Sequence, residues 1–193
     1  NDLLVLLNKE LSDEANFDAV ANVMDIENFT DYVIAEMAVA NTSINHNVMA
    51  WKPKQSGKWR WILMDVDRGF FNPNDHLIDF YSEQTVWPFS KLLNNARYKA
   101  YFGKRLADQL YTSYDPVRMM MLIDKQKQAI ESELPKHVER WKGRTSSYGD
   151  ALSSVDDWSN AVSTLSTFVT QRPAALLKDL ENYGFDGTSA LSL

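Results

Sequence analysis

Gly57-Lys58-Trp59-Arg60-Trp61-Ile62-Leu63-Met64-Asp65-Val66-Asp67-Arg68-Gly69-Phe70 tells more about this chain than any other run of its length. Its first half follows the turn signal Gln55-Ser56-Gly57 and is rich in aromatic and branched residues, the composition of a strand. Its second half sets Asp65 and Asp67 on alternate positions where that strand runs out. Alternate strand residues point to the same side, so both acids can face one point in space. Ile62, Leu63, Met64 and Val66 surround them, and an unpaired carboxylate among apolar groups is costly. Two explanations stay open on spacing alone. The acids hold a metal or take part in catalysis, or each caps a turn or pairs with a nearby Lys or Arg.

Upstream, Val48-Met49-Ala50-Trp51-Lys52 reads as the partner strand, so 48–52 and 58–64 form a β-hairpin whose loop contains Pro53, Ser56 and Gly57. The hairpin is expected to bring Asn47 back alongside Asp65 and Asp67. Before it, Asp25 is a good N-cap and Glu27 suits the positive end of a helix. Ile26, Phe29, Val33, Met37 and Ala40 recur at helical spacing, which predicts a largely buried helix ending at Asn41-Thr42-Ser43. Leu3 to Leu11 and Phe17 to Val23 read as shorter helical pieces.

Downstream, Phe70 to Trp87 reads as a loop with a turn at Asn72-Pro73-Asn74-Asp75. Helices are predicted at Pro88 to Leu93, at Arg97 to Tyr111, and from Asp115-Pro116, an N-cap acid with Pro at the first helical position. That helix is expected to run to about residue 134 and to kink or break at Pro135, with His137 to Lys142 continuing it. A last long helix starts at Val155-Asp156-Asp157-Trp158, is interrupted at Pro173, and closes at Tyr183-Gly184. The predicted fold class is mainly α with one small β-hairpin (α+β), in one unit over residues 1–184, followed by a tail or linker at 185–193.

Composition narrows the function classes. The 193 residues are 45% apolar and 24% charged, values of a folded domain. A net charge of -6 argues against a nucleic-acid partner, since phosphate binding needs a basic surface. No apolar run approaches membrane-spanning length. The absence of cysteine excludes disulfides and thiolate metal sites, and three scattered histidines (His46, His76, His137) do not suggest structural zinc. With no initiator Met, no basic leader and a first helix already under way, the chain is expected to be a piece of a longer protein.

The ordered set Asp25-Ile26-Glu27-Asn28-Phe29, Asp31-Tyr32, Asn41-Thr42, His46-Asn47 and the stretch from Gly57 to Phe70 resembles the spore-coat protein H (CotH-type) kinase family. Asn94 to Arg105 (with Tyr98, Phe102 and Arg105), His137-Val138-Glu139-Arg140-Trp141 and Phe168 to Pro173 fit it too. The resemblance implies the C-terminal lobe of an atypical protein-kinase-like fold, using ATP and Mg²⁺ or Mn²⁺ to phosphorylate Ser or other protein hydroxyls. It implies an exported, cell-surface or spore-coat setting in bacteria, with a protein substrate or an assembly partner. Asp67-Arg68-Gly69 is similar to the Asp-x-Gly metal motif, Asn47 to the second metal-binding residue of kinases, and Asp65 would be the second acid of the pair, either a ligand or an organiser of the site. Asn41 and His46 would organise the loop between.

Two departures qualify this. The family usually has Asn-x-Asp where Asn41-Thr42-Ser43 stands, so Ser43 occupies the place of the catalytic acid, and a Ser is no base at neutral pH without one beside it. No Gly-rich phosphate loop or Walker motif occurs, and no β-rich nucleotide-covering lobe is recognisable. The piece is therefore expected to have little or no kinase activity alone. A catalytically inactive structural or binding module of a coat, surface or extracellular assembly is the alternative. A carbohydrate-active acid pair ranks last, because acids two apart on one strand lie roughly 6–7 Å apart at Cα and cannot flank a glycosidic bond. The bland readings elsewhere are core packing for Trp59, Trp61 and Met119-Met120-Met121, and a solvated face for Lys125, Lys127, Lys136, Arg140, Lys142 and Arg144.

Overall fold

Helix α3 (Ile26–Ala38) is the element around which the others pack, and its sequence explains why. The Asp25 carboxylate caps it by accepting from the Asn28 amide at 3.1 Å, and from Phe29 to Ala38 every residue except Asp31 is buried. The computed structural model describes residues 2–44, 46–83, 87–146 and 149–185. Ahead of α3 lie α1 (Asp2–Leu7) and α2 (Glu14–Val23), which pack on one another. Helix α2 is a full ten residues because Asp13 caps it, accepting from the amides of Ala15 and Asn16.

The hairpin is shorter than its apolar run suggests. Strands β1 (Met49–Trp51) and β2 (Arg60–Ile62) pair antiparallel, with Met49 opposite Ile62 and Trp51 opposite Arg60. Beyond Ile62 the backbone leaves the ladder, because Asp65 takes a left-handed conformation (φ 55°) that no strand contains. The other end of β2 is fixed to α3. Asn28 accepts from the Trp61 amide at 2.6 Å and donates to its carbonyl at 3.3 Å, and Arg60 pairs with Asp25 at 2.9 Å. Trp61 is buried edge-on against Phe29, with ring centroids 4.7 Å apart, while Arg60 stays exposed.

Residues 77–83, expected in a loop, form α4 (Leu77–Glu83). Leu77, Ile78 and Tyr81 are spaced to fall on one helical face and are all buried. Next come α5 (Trp87–Leu92) and α6 (Ala96–Leu110), the latter capped by Asn95 and burying Tyr98, Phe102, Leu106 and Leu110 on one face. A two-pronged Arg105–Asp31 ion pair, 2.8 Å at each prong, ties α6 to α3.

Helix α7 (Pro116–Ile130) starts at the foreseen Asp115-Pro116 signal but ends before Pro135, in a 3₁₀ turn at Glu131–Glu133. Pro135 instead occupies the first turn of α8 (Leu134–Trp141), where a missing N–H is harmless. Met119 and Met120 are half-buried, but Met121 faces solvent, so that run is core on one side only. Five of the six basic residues singled out between Lys125 and Arg144 are exposed, and Lys127 is half-buried. A small unforeseen pair, β3 (Thr145–Ser146) and β4 (Gly149–Asp150), precedes α9 (Val155–Asn182).

Helix α9 runs for 28 residues straight through Pro173, which was expected to interrupt it. The proline forfeits one intrahelical hydrogen bond, but Phe168, Val169, Arg172, Leu176, Asp179 and Leu180 are buried around it and hold the helix on course. Phe185, assigned to the tail from sequence, is buried against α6. A side chain at Gly103 would come within 2.8 Å of its ring, so the glycine admits the contact. Residues 186–193, including the predicted linker Gly187-Thr188-Ser189-Ala190, lie outside the described residues. The core is one continuous cluster from Leu3 to Phe185. No described helix is long and apolar enough to cross a membrane.

Candidate functional site

The site forms where α3 stops and the segment after β2 returns across its end. Ala40 turns left-handed (φ 53°) and ends the helix. The returning segment crosses just above: the Phe70 amide donates to the Val39 carbonyl at 2.6 Å, and a Cβ on Gly69 would sit 2.6 Å from the same oxygen. Only glycine allows that approach. Asp65 and Phe70 both hold positive φ, a conformation that costs a non-glycine residue about 1–3 kcal/mol and concentrates at functional sites.

This geometry draws the two acids together without a strand beneath them. The Asp65 carboxyl binds its proton more tightly than an ordinary aspartate, first through a hydrogen bond shared with the Asp67 carboxylate and then through that neighbour's charge. Both side chains are exposed. Among the described residues neither acid forms an ion pair, and no backbone amide is capped by either. The adjacent Arg68 guanidinium lies over the Phe71 ring at 5.8 Å. Among the described residues, then, this acid pair neither caps a turn nor joins a Lys or Arg.

Asn41 is buried and satisfied on every side. Its Nδ2 donates to Glu36 Oε2 at 2.8 Å, its Oδ1 accepts from the Ser43 amide at 2.9 Å, and its carbonyl accepts from the Tyr81 hydroxyl at 2.6 Å. Burial pushes the Glu36 carboxyl above its ordinary value, and the hydrogen bond from Asn41 and the nearby Tyr32 hydroxyl act the other way. The Tyr32 hydroxyl faces Glu36 without closing a well-formed hydrogen bond. Ser43 is half-buried, and its amide, not its hydroxyl, makes the loop contact. His46 is exposed and joins the loop through its backbone, donating to the Ser43 carbonyl at 3.4 Å. Asn47 is half-buried two residues ahead of β1, outside the paired ladder, which begins at Met49 opposite Ile62.

Sequence alone missed three residues that build this site. Glu36 sits inside an apolar helical run, where a lone acid marks either a solvent edge or a buried partner. Tyr81 and Arg172 act from helices far along the chain. Arg172 is buried in α9 and donates to the Met37 carbonyl at 3.0 and 2.8 Å, to that of Pro73 at 2.7 Å and to that of Asp75 at 2.8 Å.

The sequence profile described as CotH kinase protein matches residues 1–176, a span containing every residue of this site. The chain belongs to the CotH kinase family. No curated protein and no solved structure matches it. Membership of the CotH kinase family brings kinase-like character, a general association with nucleotide and metal, and a spore-coat connection for the family as a whole.

The donor set suits a magnesium-like ion. Among the described residues no third acid, histidine or cysteine joins Asp65 and Asp67. Mg²⁺ is commonly held by one or two carboxylates, with phosphate oxygens and water completing its shell. Two exposed carboxylates pressed together without a protein cation are hard oxygen donors whose mutual repulsion a divalent ion relieves.

Proposed function

We propose that this chain carries a kinase-like site in which Asp67 and Asp65, joined by Asn47, hold Mg²⁺ or Mn²⁺ on the phosphates of ATP. The observation that carries this reading is the unneutralised Asp65–Asp67 pair on a strained loop, in a chain of the CotH kinase family. Held by Asp67, Asp65 and Asn47, the metal would supply positive charge to offset that of the phosphates, the part metal ions play in kinases generally. The chain's own part is to present two carboxylates on a loop tied to the end of α3, from which Asn41 and Ser43 follow, with a protein hydroxyl as phosphate acceptor. We place the protein at a spore coat, cell surface or extracellular assembly, as the family association suggests.

Thermal denaturation with ATP and Mg²⁺ or Mn²⁺ tests the binding reading. Ligand at about 100 times its dissociation constant stabilises by roughly 2.7 kcal/mol, a rise in Tm of about 5–10 °C for a chain this size. The rise should require the metal and vanish in Asp67→Ala. No rise with either metal would remove the reading.

A second reading, a nucleotide-binding or purely structural module without phosphotransfer, is favoured by Ser43. No acid stands at that position, and among the described residues no base is hydrogen-bonded to its hydroxyl. Restoring the acid separates the two. If the site is catalytic in design, Ser43→Asp should raise phosphate transfer about 100-fold or more, the scale of general-base catalysis, with nucleotide affinity little changed. An unchanged rate would favour the structural module.

A further inference from the structure

We infer that Arg172 is a positioning residue that fixes the acid loop against the end of α3, so that the two halves of the proposed site keep one spacing. The inference rests partly on the metal-binding reading above and partly on geometry that stands without it. Arg172 does not serve one neighbour. Its Nε and Nη2 donate to Met37, four residues ahead of Asn41, while its Nη1 donates to Pro73 and Asp75, shortly after Asp67. One planar guanidinium thus spans the segment that leads into the Asn41–Asn47 loop and the segment that leads out of the acid loop.

No shorter or more flexible side chain can do this. The fork geometry of Arg places several donors in fixed directions, whereas Lys offers a single point charge. The group is buried, and desolvation lowers its pKa to about 10 despite the attraction of Asp179 and Asp75. A buried cation is costly unless it is hydrogen-bonded, and four of the five guanidinium N–H donors are spent on backbone carbonyls, so its geometry is tightly prescribed. Two helical turns further along α9, the buried Asp179 is hydrogen-bonded to His76, giving the same loop a second hold. Between these holds and the Phe70–Val39 hydrogen bond, the segment carrying Asp67 has little freedom to drift from Asn41.

The test compares Arg172→Lys with the unaltered full chain by two readouts. Amide hydrogen exchange at Phe70 reports the spacing without any metal. Titration with Mn²⁺, followed by the electron paramagnetic resonance of the free ion, reports the acid pair. Losing the fork should speed Phe70 exchange and weaken Mn²⁺ binding, each by about tenfold, the worth of one hydrogen bond to a charged group. Amides of α6 around Leu106 should keep their protection.

Unchanged Phe70 exchange would overturn the inference, and so would an equal loss of protection in α6, which would mark Arg172 as a general stabiliser. If the unaltered chain binds no Mn²⁺, the metal reading fails while the Phe70 comparison still decides the role of Arg172. Should Arg172→Lys not fold, Arg172→Gln, which keeps an amide donor for one segment, takes its place. Failure of both to fold would make the residue a folding requirement and end the positioning role.

Discussion

Glu36 shows how a single buried acid can shape a site through one hydrogen bond, the one it accepts from Asn41. It is 1% exposed, yet its partners are Asn41 and the edge of Tyr32 rather than a cation. Because burial raises its folded-state pKa, the native state holds the Glu36 proton more tightly than the unfolded chain does. Its contribution to stability is therefore greatest below the ordinary carboxyl range and declines as pH rises through the raised value. Glu36→Gln, which still accepts from Asn41, should flatten that decline and leave stability at neutral pH equal or higher. Glu36→Ala leaves the Asn41 amide buried and unpaired, a loss of about 1–3 kcal/mol. Chemical denaturation at several pH values checks both. Asp65 and Asp67 drew notice in the sequence because their spacing is local, although the apolar setting expected around them is open to solvent. Glu36 did not, since its partner's burial depends on the whole fold.

Among the elements, the hairpin was legible and its attachment was not. The alternating Trp59-Arg60-Trp61 pattern located β2, but the strand's position is set by Asn28, one turn into α3, bracketing the Trp61 peptide from both sides. Asn28→Ala removes two hydrogen bonds to a buried residue's backbone and should cost about 1–3 kcal/mol at roughly 0.5–1.5 kcal/mol each. Because the hairpin leads directly into Asp65, the same variant should also loosen the acid loop, read as faster amide exchange at Gly69 and Phe70. Helix α4 escaped the sequence reading because its buried face is only Leu77, Ile78 and Tyr81, short enough to pass for loop. Helix α9 was cut at Pro173 because a proline rule based on local hydrogen bonding ignores how much buried surface the helix carries on either side.

At the scale of the molecule, the family was readable from the ordered motif residues that resemble it, and the mostly helical class from the helical spacing of apolar residues. The three-dimensional meeting of Met37, Phe70 and Arg172 was not, because no local pattern encodes contacts between segments this far apart. We propose that residues 1–184, with Phe185 packed against them, unfold as one unit, since the apolar cluster is continuous from α1 to the end of α9. Urea transitions followed by tryptophan fluorescence and by far-ultraviolet circular dichroism should then coincide. Two separated midpoints would divide the chain.

The bond from Arg172 to Met37 closes a separation of 135 residues. During synthesis the end of α3 and the acid loop leave the ribosome long before α9 does, and α9 is among the last parts of this chain to be made. Until then Met37 and Asp75 have no common anchor. A nascent chain can build its hairpin, α3 and the Phe70–Val39 hydrogen bond early, but the holds from Arg172 and Asp179 join the acid loop only after α9 docks. Synthesis order thus sets the earliest moment for the two holds from α9: after its residues have been translated.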